Sequence, residues 1–307
     1  MRLKEKDSCR MRYEASEEER KYLENYDISM YDRPSIATDI VVFTVGKEEV
    51  ENTRQHPKGV LRVLMINRAN YPYKNMWALP GGFCRKNEEV RQTAKRELYE
   101  ETHIEDAYLK VSGIYGDVNR DPRGWIISHA YLALVDATKI QLRADTDAWD
   151  AKWFDMDVNM TQIDKQINEK EIYIQNKYVL TLRCDDEILS GTILENRSYV
   201  NYHETVTYEI VKCEGIAFDH AKIIVNAFQK LQSSAERDEK IIFDLMPELF
   251  TLTQLQNIFE VILQRELLKP NFRRKIAEYV IETDDVESGR RYRTAKLFRR
   301  NIEKFIQ

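Results

Sequence analysis

The chain has 307 residues, with 47 Lys plus Arg against 52 Asp plus Glu, a formal net charge of −5. Hydrophobic residues at 43% and charged residues at 32% exclude a disordered chain, and 10 Gly with 7 Pro exclude a collagenous or linker-rich one. At roughly 100–200 residues per domain this length predicts two domains, and the acidic balance by itself points away from nucleic acid. No run approaches the roughly 20 apolar residues of a membrane helix. The opening MRLKEKDSCRMRYEASEEERKY lacks the apolar core of a secretory signal. Cys9, Cys84, Cys184 and Cys213 form no CxxC pair and the five histidines are dispersed, so the thiols read as reduced in a cytoplasmic protein.

Residues 1–30 are a charged N-terminal segment with a short surface helix at Glu17 to Tyr26. SIATDIVVFTV (35–45) predicts a strand with buried faces. The polar stretch 46–59 predicts a hairpin connection, and LRVLMINRA (61–69) a second strand. After WALPGGF a helix is expected from about Glu88 to Thr102, burying Val90, Ala94 and Leu98. WIISHAYLALV (125–135) predicts another strand, and Trp153-Phe154 a shorter one. Residues 156–214 alternate strand-like runs with charged turns and extend the first domain. Asp219 caps a helix from His220 to about Gln232, with Ile223, Ile224, Ala227, Phe228 and Leu231 on one face. The polar SSAERDEK (233–240) then marks a domain boundary, giving domains at 31–234 and 235–307.

Glu97, Glu100 and Glu101 stand at i, i+3 and i+4, so they leave one helical face as neighbours. Three such carboxylates repel one another unless a positive charge lies among them, and Arg96, though adjacent, points partly aside. A hard divalent cation such as Mg²⁺ or Mn²⁺ fits that need. A solvated acidic face satisfies the same pattern.

The surroundings decide between them. Gly82, Glu88, Arg96-Glu97-Leu98, Glu100-Glu101 and Ile104 resemble the Nudix box at every fixed position except the last Gly, which is His103. That resemblance implies an α/β/α sandwich holding metal and a diphosphate-linked substrate. It assigns Glu97 and Glu101 as metal ligands, with Glu100 beside them and the Gly81 carbonyl completing the set. Glu88 and Arg96 brace helix against loop, and Gly82 lies against the ligand. The chemistry implied is attack of water on a phosphoanhydride, with Asp145 or Asp147 as general base. His103 strains a left-handed helix end by about 1 kcal/mol without removing a ligand.

YDRPSIATDIVVF, NRANYPYKNMWALPGGF, GDVNRDPRGWIISHAYLALV and GIAFDHAKIIVNAF resemble Nudix-related bacterial transcriptional regulators and their ADP-ribose pyrophosphatase-type relatives. By that resemblance Arg120 and Arg123 face a nucleotide-sugar or ADP-ribose-like ligand, although pairing with Asp117 and Asp121 within the turn describes them equally.

The last 71 residues carry 14 Lys plus Arg against 12 Asp plus Glu, and residues 265–307 alone 12 against 7, so the total of −5 conceals a basic tail. Thr251 with Gln254 signals a helix start before LTQLQNIFEVIL, and LLKPNFRRKIAEYV supplies a second helix. Asn271, Arg273, Arg274 and Lys275 would then face a major groove, with Arg290, Arg291, Arg293 and Lys296 on a basic wing. The fold class expected is α+β, a Nudix sandwich with a C-terminal winged helix that binds double-stranded DNA as a homodimer. The alternative is a house-cleaning pyrophosphohydrolase whose tail only dimerises.

Overall fold

The β-branched run forms β1 (Ser35–Lys47), and its alternation creates two apolar layers. The computed structural model describes residues 15–47, 59–105, 107–136, 151–168, 171–288 and 294–306. Ile40 and Val42 face one layer with Leu64, Ala94, Leu98 and Tyr131. Val41 and Phe43 face the other with Leu132, Phe154, Ile224 and Phe228. Residues 1–34 are a separate compact unit that contains α1 (Glu17–Glu24), capped by Ser16, whose Oγ accepts from the Glu19 N–H at 3.2 Å.

β1 pairs antiparallel with β2 (Gly59–Asn67), with Phe43 opposite Val63 and Val45 opposite Leu61. It also takes two short partners' worth of chain in β3 (Trp77–Ala78), which pairs β2, and β4 (Gly81–Phe83), which pairs β1 directly. β5 (Tyr108–Tyr115) lies beside β6 (Ile126–Leu134), which runs parallel to β1. Then come β7 (Ala151–Ile167), β8 (Glu171–Cys184), β9 (Glu187–Val200) and β10 (His203–Glu214). They extend the same sheet in the order β10-β9-β8-β7-β2-β1-β6-β5. Trp153-Phe154 is therefore not a short strand. It opens a 17-residue one, because β8 offers backbone partners from Arg183 back to Ile172.

α2 (Val90–Thr102) covers one face of the sheet and α3 (His220–Arg237) the other, which makes the α/β/α sandwich. α3 packs against β1, β6, β8 and β9 and also against β5 and β10, the two outermost strands. The sheet therefore curls around this helix. α3 runs five residues beyond the expected Gln232, through the polar SSAER segment.

A 3₁₀ turn at Glu239–Leu245 leads to α4 (Leu252–Leu263), α5 (Lys269–Ile276), the hairpin β11 (Val280–Ser288) and β12 (Thr294–Arg300), and α6 (Ile302–Phe305). This is a winged helix. Its start is a reciprocal cap: the Gln254 N–H donates to Thr251 Oγ1 at 3.2 Å and the Thr251 N–H to Gln254 Oε1 at 2.7 Å. Phe259 and Phe272 lock α4 to α5 with rings 5.4 Å apart. Phe250 and Phe298 exchange backbone hydrogen bonds that tie the wing to the helices. Gln232 Nε2 donates to the Ile262 carbonyl and Gln264 Nε2 to the Val158 carbonyl, each at 2.9 Å, joining α4 to α3 and to β7.

One apolar cluster consequently runs from the sheet through Leu231 to Phe272 and Ile276. Leu231 is fully buried at the middle of it. Leu231→Ala should lower stability by about 2–5 kcal/mol. Urea denaturation followed by circular dichroism measures this, and a change below about 1 kcal/mol would refute the packing described.

Candidate ligand cleft and nucleic-acid surface

Loop 79–89 and the start of α2 build the acidic site. Two adjacent glycines keep that loop close to its neighbours, Gly81 against backbone and Gly82 against a side-chain end. A Cβ on Gly81 would lie 2.1 Å from the Thr38 carbonyl oxygen, and one on Gly82 would lie 2.3 Å from a Glu97 carboxylate oxygen. Glu89 caps α2, its N–H donating to Gln92 Oε1 at 2.9 Å, so the helix begins two residues later than expected. His103 ends it with φ 59° and ψ 22°, the left-handed conformation that Gly would supply.

Arg96 does not point aside. Its guanidinium sits among the acids, 2.7 Å from Glu88, 2.6 Å from Glu97 and 3.0 Å from Glu100, and it also donates to the Phe83 carbonyl at 3.3 Å. Helix and loop are thus clamped together. Hydrogen bonding from Arg96 holds the Glu88 carboxyl down at about 2. Glu100 is half exposed and shared between Arg96 and Arg85. Glu101 is half-buried and accepts the Gly81 N–H at 2.9 Å. Burial, reinforced by the Glu97 charge, pushes its carboxyl up to about 8. Among the described residues no three His, Cys, Asp or Glu side chains converge as a preformed metal cluster. Glu101 and Glu97 supply the hard oxygen donors that Mg²⁺ favours, and an ion would have to displace a proton from the first and share the second with Arg96. Asp145 and Asp147 lie outside the described residues.

Beside this helix a cleft is lined by Asp39, Arg68, Gly81, Gly82, Phe83, Arg120, Arg123, Phe218 and His220. Arg120 is 5% exposed and is held by Asp219 at 2.7 Å and Asp39 at 3.3 Å, not by Asp117. Asp117 pairs instead with Lys222. Arg123 does pair within its turn, 2.6 Å from Asp121, while its guanidinium lies 4.9 Å from the Phe83 ring centre and 5.3 Å from that of Phe218. Arg68 lies 4.8 Å from the Phe218 ring centre. Two half-open cations therefore flank two aromatic faces, a surface suited to phosphate and base.

Sequence reasoning missed Arg68, Phe83, Phe218 and His220. Phe218 has φ 53°, a conformation a bulky residue adopts only when its surroundings impose it. The parallel bridge from Trp77 to Ile216 and the edge contact with Tyr73, at 4.7 Å, hold it there.

On the winged helix Asn271, Arg273, Arg274 and Lys275 are exposed while Phe272 and Ile276 are buried, as the spacing predicted. Lys275 pairs with Glu239 and Lys296 with Glu282, while Arg273 and Arg274 have no acidic partner among the described residues. Arg300 is consumed internally, by Asp244 and the Phe243 carbonyl. Lys269 and Arg299 are exposed beside these groups and were not singled out from sequence. Arg290, Arg291 and Arg293 lie outside the described residues.

Residues 45–175 match the family model described as NUDIX domain, and residues 242–300 match the NrtR DNA-binding winged helix domain. The ADPR responsive transcriptional repressor NtrR of Acinetobacter baylyi is 31% identical over 284 residues, which span 92% of this chain and 88% of that protein. The chain belongs to the NrtR family. NrtR of Shewanella oneidensis, in a crystal structure with a 27mer DNA, shares the fold at TM-score 0.57 and 24% identity, covering 87% of this chain and 93% of its own. A MutT/nudix family protein from Enterococcus faecalis does so at TM-score 0.60 and 23% identity, over 94% and 100%. No helix among the described residues is long and apolar enough to cross a membrane.

Within this NrtR-family cleft, Asp39 is the acid that yields a pH test. Burial alone would raise its carboxyl, yet His220, Arg120 and a 2.5 Å hydrogen bond from Ser128 hold it at about 2, against an ordinary 3.8. A depressed acid stabilises the fold fully above its unfolded value, so the contribution is complete above about pH 4 and lost as pH falls towards 2. The amount is about 2 kcal/mol. Asp39→Asn should therefore be less stable than the parent at neutral pH and lose less on acidification, as thermal melts from pH 7 to pH 2 will measure. Parallel melting curves for the two proteins would refute the assignment.

Proposed function

We propose that this chain is an ADP-ribose-responsive transcriptional regulator. Its Nudix cleft senses ADP-ribose or a related nucleoside-diphosphate sugar, and its winged helix binds double-stranded DNA. The single observation that carries the reading is the end-to-end similarity to the A. baylyi repressor, extending from the acidic helix through the basic one. The cleft supports it chemically. Arg68 and Arg123 offer charge to a diphosphate, and Phe83 and Phe218 offer ring faces to a base. Arg273, Arg274, Asn271 and Lys275 contact DNA, as do Arg290, Arg291 and Arg293. Residue 235 divides the sensing part from the DNA-binding part, and the active form is a cytoplasmic homodimer that spans two half-sites.

Fluorescence anisotropy on DNA upstream of the chain's own operon tests this. ADP-ribose should change the apparent Kd by at least about fivefold. Arg273→Ala should weaken binding by about tenfold, and Arg123→Ala should keep DNA affinity while losing the ADP-ribose response. Unchanged DNA affinity in Arg273→Ala would leave the tail as a dimerisation element and the hydrolase alternative standing.

A second reading, hydrolysis of the sensed ligand, is favoured by the complete carboxylate set. Glu97, Glu101 and the Gly81 carbonyl would hold Mg²⁺ or Mn²⁺, and Glu100 would join only by leaving Arg96. Such an ion, when bound, polarises a phosphoanhydride and lowers the pKa of an attacking water. Gly82 keeps room for Glu97, while Glu88 and Arg96 fix the helix against the loop. Mn²⁺ should raise the melting temperature of the parent and of Glu100→Gln, and fail to do so in Glu97→Gln and Glu101→Gln. AMP release from ADP-ribose with Mg²⁺ is the activity readout. A Glu101→Gln protein that releases AMP at the parental rate would end the hydrolytic reading.

A further inference from the structure

Away from the carboxylate helix, the curl of the sheet leaves a second cleft, of about 420 Å³, where β5 and β10 both meet α3. Its lining includes Lys110 and Ser112 from β5, Arg197 from β9, Tyr208 from β10, and Lys230 and Arg237 from α3. Ser112 is the extra residue of a β-bulge, since Val111 pairs with Tyr131 while Gly113 pairs with the next residue back, Ala130. Bulges redirect a side chain and recur next to binding sites. Ser112 is 3% exposed, yet its Oγ has no hydrogen-bond partner. That hydroxyl is closed to solvent, so Ser112 contributes to the cleft through its carbonyl, which holds Lys230.

The charges around it are unbalanced. Lys110, Lys230 and Arg237 form no ion pair with any described acid. Lys230 Nζ donates only to the Ser112 carbonyl, and burial lowers its ammonium pKa, which an anion would reverse. Arg237 Nε donates to the Ser233 carbonyl in the last turn of α3, which offsets the helix's negative end. The opposite wall is already ordered. Arg197 is braced by Glu195 and Glu204, and Tyr208 by Gln229 at 3.1 Å. Three cations that form no ion pair with a described acid thus share a walled space.

We infer that this cleft binds the phosphate group of a small phosphorylated molecule, at a site separate from the Nudix cleft and independent of the function proposed above. Its occupant would touch α3 beside Gln232, the residue that bonds α4.

Inorganic pyrophosphate with EDTA present is the probe, because chelation removes any divalent cation from the acidic helix. Isothermal titration of the full chain should show saturable binding. Lys110→Gln and Lys230→Met should each weaken it by about tenfold, the loss of one charge-assisted hydrogen bond, while Arg183→Gln, which removes an exposed charge on β8 from neither cleft, leaves it unchanged. Melting curves of the variants without ligand guard against misfolding. Absence of saturable binding in the parent, or undiminished binding in Lys110→Gln and Lys230→Met, overturns the inference.

Discussion

Everything in the larger unit depends on the burial of α3. Ten of its 18 residues are buried, far more than one helical face, so the helix needs a surface that wraps it. The curled sheet supplies most of that surface and the winged helix the remainder. The same helix ends therefore hold both functional regions. His220 at the first turn lines the Nudix cleft, and Gln232 near the last is bonded to α4. Leu231, Phe228 and Ile224 exclude water between them. A rigid element with a ligand cleft at one end and a DNA-binding element at the other is the structural requirement for coupling two sites.

The acidic helix solves a charge problem in two ways at once. Arg96 neutralises the outward acids Glu88, Glu97 and Glu100, whereas Glu101 is turned inward and receives only a backbone N–H. Without a cation, the inward carboxyl is favoured in its protonated form at neutral pH. A divalent ion bound there has to displace that proton. Arg96 thus ties down Glu88 and Glu100, while Glu97 lies between that cation and the inward Glu101.

Much of this was legible because it is local. The spacing of Glu97, Glu100 and Glu101, the reciprocal cap of Thr251 and Gln254, and the buried Phe272 and Ile276 between exposed cations all follow from 3.6 residues per turn. The left-handed His103 follows from the position of the missing glycine. The partners of Arg120 could not be read, since Asp39 and Asp219 lie 81 and 99 residues away and nearer acids offered an ordinary pairing. The length of β7 was hidden because most of its outer half is exposed and carries no apolar alternation. The aromatic wall escaped notice because Phe218 sits between elements, in a conformation that its residue type disfavours.

Arg120 carries a thermodynamic obligation. It is the shared counterion of two carboxylates, one on β1 and one at the start of α3, in a place nearly closed to water. An anion that drew this guanidinium away would leave Asp39 to His220 and Ser128 and Asp219 to Lys222, a less compensated and higher-energy state unless the acids protonate or α3 shifts. Ligand affinity and the position of α3 are linked through that one cation to whatever extent a ligand engages it. By reciprocity, any restraint that DNA places on the far end of the helix must then appear as an altered affinity in the cleft.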